Sequence, residues 1–142
     1  MNSKKLKEFI NLIDNAIAIA DQRKTEINTD EYKQFRINYI IKICDPARKE
    51  KILNSNEIEK ELNFSFALEW LNRFIHKLEF LKENISTKLY EEDIKLPKGK
   101  RPRFGLGRAA LEYDIALGEP LYNYELSNAL AAVEKYFDEE LD

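Results

Sequence analysis

The chain has 142 residues, enough for one compact domain with a substantial core. It is 44% hydrophobic and 35% charged, with four Gly and four Pro, which excludes collagen-like, mucin-like and low-complexity classes and argues against wholesale disorder. The 23 basic and 26 acidic residues leave a net charge of -3, so a dedicated coat for duplex DNA is not the default expectation.

Ser3 can cap a first helix running to about Lys24, in which Leu6, Phe9, Ile10, Ile13, Ile17 and Ala20 recur at spacings of three and four. Glu8 and Asp14 interrupt what would otherwise resemble the apolar core of a signal peptide. A second helix begins near Thr29 or Asp30 and carries Tyr32, Phe35, Arg36, Tyr39, Ile40 and Ile43. Asp45-Pro46 is a restart: an acidic cap followed by proline at the first helical position. A short helix to about Leu53 follows, then a break at Asn54-Ser55-Asn56 and another short helix with Ile58 and Leu62.

The central segment reads as one long helix, about 65–90, with Phe66, Trp70, Leu71, Phe74, Leu78, Leu81, Ile85 and Leu89 as its apolar positions. Phe66, Trp70 and Phe74 are expected in the core. Asn84-Ile85-Ser86-Thr87 is the place where this helix would fray or bend. A basic loop containing Gly and Pro, about 91–107, comes next. Helix resumes near Gly107 or Arg108 and runs to Leu117, where Gly118 fits a left-handed cap. Glu119-Pro120 restarts the chain for a last helix with Leu126, Leu130, Val133, Phe137 and Leu141. The expected fold is therefore all-α: a single helical domain over 1–142, a bundle of five to seven helices.

The lone cysteine, Cys44, cannot form an intrachain disulfide, so a reducing, cytoplasmic setting is the simplest home. No stretch approaches the roughly 18 apolar residues of a membrane span, and no membrane partner is expected.

Charge is segregated along the sequence. Between 94 and 108, Lys95, Lys98, Lys100, Arg101, Arg103 and Arg108 are unrelieved by any acid, whereas 109–142 holds one basic and nine acidic residues. Three functional classes follow. The favoured one is a non-enzymatic protein-binding module, in its most concrete form an inhibitor or immunity-type protein that occludes a basic partner. Its surface would be acidic and tyrosine-containing: Glu112, Glu119, Tyr122, Tyr124 and Glu125. The alternative is a nucleic-acid-associated regulator, in which Lys95, Lys98, Lys100, Arg101, Arg103 and Arg108 contact phosphates and Phe104 stacks on a base. The third is a small metal- or His-dependent hydrolase around His76, with Arg73 and Glu79 three residues to either side.

No catalytic residue, metal ligand or cofactor is assigned from the sequence. Gly99, Gly105 and Gly107 lack the spacing of a nucleotide-binding loop, and one Cys and one His do not make a zinc site. Glu134, Asp138, Glu139, Glu140 and Asp142 crowd the end of the last helix, where acid opposes the helix dipole and predicts fraying. The long helix could also pair with its copy in a homo-oligomer.

Overall fold

The computed structural model describes residues 2–43, 45–53, 64–117 and 124–142. Among these residues the chain forms seven helices and no strand, an all-α bundle as expected. They are α1 (Ser3–Glu26), α2 (Asp30–Ile43), α3 (Pro46–Leu53), α4 (Phe64–Asn84), α5 (Lys88–Lys95), α6 (Leu106–Leu117) and α7 (Glu125–Glu139). Cys44, the expected short helix with Ile58 and Leu62, and the Gly118 cap lie outside the described residues.

Local capping chemistry sets most helix starts. Asn2 caps α1 in place of Ser3: its Oδ1 accepts from the backbone N–H of Lys4 at 3.0 Å and of Lys5 at 3.2 Å. Thr29 Oγ1 accepts from the N–H of Tyr32 at 3.2 Å, and Asp45 Oδ1 from that of Arg48 at 2.9 Å. Both restarts therefore stand where the sequence put them.

The long central helix is the main correction. The stretch 65–90 is two helices, because α4 ends at Asn84 and α5 begins at Lys88. Asn84 Nδ2 donates to the Phe80 carbonyl at 2.9 Å, and Thr87 Oγ1 donates to the Asn84 carbonyl at 2.7 Å. Thr87 Oγ1 also accepts from the N–H of Leu89 at 3.4 Å. Short polar side chains thus compete with the helical ladder, closing one helix and capping the next. Ile85 is buried at the turn and draws the chain back to the core, while Leu89 is left 57% exposed. Because Glu91 to Lys95 are helical, the irregular basic segment is shorter than expected and spans 96–105.

α1 lies against both α4 and α7, and α6 returns along α7. The buried set includes Phe9, Ile13, Ala16 and Ala20 of α1, Leu71, Phe74 and Leu78 of α4, and Leu126, Leu130, Val133 and Phe137 of α7. Phe137 sits at the centre of an aromatic group, with ring centroids 4.8 Å from Phe104, 6.1 Å from Tyr90 and 6.1 Å from Phe9. Burying such a ring contributes about 2–3 kcal/mol. Small residues set the helix spacing: a Cβ on Gly107 would stand 3.4 Å from the Ala131 Cα, so α6 starts in close contact with the α7 backbone. Of the three expected core aromatics, Phe74 is buried and Trp70 half-buried, but Phe66 is 46% exposed at the edge of the ring series.

Polar contacts tie α1 to α4 and α7. Lys82 meets Asp14 at 2.7 Å, and the Tyr136 hydroxyl donates to Glu8 at 2.6 Å. No described helix is long and apolar enough to cross a membrane.

Candidate functional site

The basic segment folds against the end of α7. Arg101 is 6% exposed, and its guanidinium donates to four backbone carbonyls: Phe137 at 2.7 Å, Ile94 at 2.8 Å, Leu96 at 3.3 Å, and Leu141. Its own N–H donates to Asp138 Oδ1 at 2.8 Å, and the Gly99 N–H donates to the Asp138 carbonyl at 2.9 Å. The last turn of a helix leaves carbonyls without intrahelical donors. Here two of them, Phe137 and Asp138, receive donors from a segment nearly forty residues earlier in the chain.

The remaining expected nucleic-acid contacts are distributed unevenly. Lys98 pairs with Asp142 at 3.0 Å, and Arg103 faces the buried Asp138 carboxylate at 3.7 Å. Lys95 lies 3.4 Å from Glu92 and 3.6 Å from Glu91, and Arg108 lies 3.8 Å from Glu112. Lys100 is exposed and makes no ion pair among the described residues. Phe104 packs on Phe137 and Tyr90 and is half-buried. Arg101 is therefore enclosed by protein carbonyls, and Phe104 has one side committed to the core.

The acidic end, where fraying is expected from the charge, is held by several contacts. Leu141 is fully buried, and Asp142 meets Lys5 and Lys98, each at 3.0 Å. Hydrogen bonds from Lys5 and Lys98 hold the Asp142 carboxyl below its ordinary range. The reason is electrostatic. Cations brought to a helix C-terminus offset both the dipole and the excess acid. Glu134 is also buried, and its Oε1 accepts from the Gly107 N–H at 2.9 Å, where a carboxylate stabilises the positive end of α6.

Of the expected protein-binding residues, Glu119 and Tyr122 lie outside the described residues. Glu112 is exposed on α6. Tyr124 and Glu125 are exposed at the start of α7. Tyr124 is 39% exposed and has φ 56°, ψ 28°, the left-handed region that favours glycine; its side chain forms no cap hydrogen bond. It is the one positive-φ residue other than glycine among the described residues.

His76 is exposed on α4 and makes no hydrogen bond or ion pair among the described residues, and Arg73 pairs with Glu69 at 2.6 Å. Among the described residues no group of three or more His, Cys, Asp or Glu side chains could hold a metal ion. His76 instead borders a groove of about 340 Å³ with Lys77, Phe80 and Leu81 of α4, Tyr90 of α5, and Phe104 and Leu106. The sequence reading missed this groove. Its signal would have been the pair Phe80-Leu81, where one side chain must face outward when the other enters the core. Comparison with models of protein families, with curated proteins and with solved structures finds no match.

Proposed function

We propose that this chain is a non-enzymatic protein-binding module that occludes a basic partner, as an inhibitor or immunity-type protein does. Its binding surface comprises Glu112, Tyr124 and Glu125, together with Glu119 and Tyr122 from the adjoining segment. The observation that carries the reading is Tyr124, a bulky residue in a left-handed conformation with its ring partly in solvent. Such a conformation costs about 1–2 kcal/mol, and residues held this way concentrate at functional sites. A tyrosine offers a partner a large apolar face with a hydrogen-bonding tip. Glu125 is exposed next to it in sequence and Glu112 is exposed on α6, while most of the cations of 95–108 face acids and carbonyls of the chain itself, Arg108 lying near Glu112. Charge complementarity then favours a basic protein. A cytosolic setting agrees with the single cysteine.

The test is capture from native lysate with wild type, Tyr124→Ala and Glu125→Lys, each with and without nuclease. A basic protein should survive nuclease treatment, elute with salt, and bind the two variants about tenfold more weakly. Retention unchanged by salt and by both substitutions would overturn the acidic-surface mechanism. Loss of all partners on nuclease treatment, with nucleic acid recovered, would transfer the function to the basic segment around Lys100.

A further inference from the structure

The groove between α4, α5 and the start of α6 is independent of the Tyr124 surface. Its floor is Leu81 and Leu106, both 2% exposed, and its walls are Phe80, Tyr90 and Phe104. Phe80 is 51% exposed, so half of a large ring faces solvent at the edge of a concave apolar surface. Tyr90 and Phe104 meet edge to face with centroids 6.1 Å apart, which fixes one wall.

Among the described residues the charged lining of the groove is cationic. Lys77 and His76 line it, and no acidic side chain does so among the described residues. Lys77 makes no ion pair among the described residues, whereas Arg73 and Lys82 on the same helix each have one. Asp93 acts through space on the Tyr90 hydroxyl but does not line the groove.

Size narrows the occupant further. A volume of about 340 Å³ lies at the lower end of small-molecule pockets, which run from about 300 to 1,000 Å³. A bound peptide helix would need a row of anchor pockets at successive turns, roughly 5 Å apart. One short apolar groove does not provide that row.

We propose that this groove binds a compact aromatic carboxylate, its ring against Phe80 and Phe104 over Leu81 and Leu106, its carboxylate facing Lys77 and His76. Three aromatic walls favour a flat ring over an alkyl chain, and the unpaired ammonium supplies the anion's partner.

The experiment is calorimetric titration of the full chain with naphthoate and, separately, with the neutral naphthyl methanol. Naphthoate should bind saturably and more tightly than the alcohol. Lys77→Glu, at an exposed position where circular dichroism should be unchanged, should weaken naphthoate about tenfold and the alcohol less than about twofold. Phe80→Ser should weaken both. Absence of saturable naphthoate binding, an equal effect of Lys77→Glu on the two ligands, or no effect of either substitution would each overturn the proposal.

Discussion

The two ends of α7 both carry acid, one residue at the start and several at the finish, and the fold treats them differently. At the C-terminal end, Asp138 and Asp142 meet Arg103, Lys98 and Lys5, and Arg101 supplies donors to the last carbonyls. At the N-terminal end, Glu125 is exposed and Tyr124 enters the helix in a left-handed conformation without a side-chain cap. The difference teaches that an acidic run in a sequence is not by itself an acidic surface. Buried Glu134 and Asp138 serve the protein's own backbone, each accepting from a main-chain N–H. Glu139 and Glu140 stay exposed beside them, as Glu125 does at the opposite end of the helix.

Removing Arg101 is the strongest way to break this asymmetry. Arg101→Ala leaves the carbonyls of Ile94, Leu96, Phe137 and Leu141 without this donor and should cost roughly 3–5 kcal/mol in urea unfolding. Arg101→Lys should recover only part of it, because an ammonium cannot span carbonyls the planar guanidinium reaches together. A midpoint unchanged from wild type would show that the clasp contributes nothing. Glu134→Ala comes next, at about 1–2 kcal/mol, through loss of the carboxylate at the α6 N-terminus.

The opposite end should respond with the opposite sign. Tyr124→Asn places a residue tolerant of the left-handed region at φ 56° and should stabilise the fold by about 0.5–1 kcal/mol. The same substitution should weaken partner binding, a trade between stability and recognition that Arg101 does not share. Equal or lower stability for this variant would mean that the backbone at 124 is not strained.

The smallest effect lies at alkaline pH. Burial first, and the Glu8 carboxylate second, push the Tyr136 hydroxyl from 10.0 up to about 12. A raised pKa favours the protonated form in the fold, so its contribution is complete below pH 10 and is lost as pH rises toward 12. Solvent screening keeps this contribution modest. Tyr136→Phe should flatten the slope of stability across that window, measured by urea unfolding at successive pH values.

Local chemistry was readable from the sequence, and distant chemistry was not. The Asp45-Pro46 restart depends on residues within three positions of each other, and its cap forms as read. The split of the central helix was half-visible: Asn84 and Thr87 marked a weak point, but only the burial of Ile85 decides that the chain turns there. The setting of Arg101 is illegible in the sequence for a different reason. Among six cations in fifteen residues, nothing local distinguishes the one whose partners are backbone carbonyls 36 and 40 positions away. Backbone acceptors leave no trace in composition, so no charge pattern could have revealed them. Tyr124 and Glu125 were readable as residue types, but the left-handed backbone beneath Tyr124 was not.

The Arg101 clasp also orders events in time. Its acceptors at Phe137 and Leu141 are synthesised after every other described helix has been made up to the middle of α7. At a synthesis rate of roughly 5–20 residues per second, Arg101 waits several seconds for them. Until then only its local acceptors, the Ile94 and Leu96 carbonyls, have been made, and α7, which packs on α1, is incomplete. One arginine thus closes the loop and the helix end together, joining parts of the chain made seconds apart.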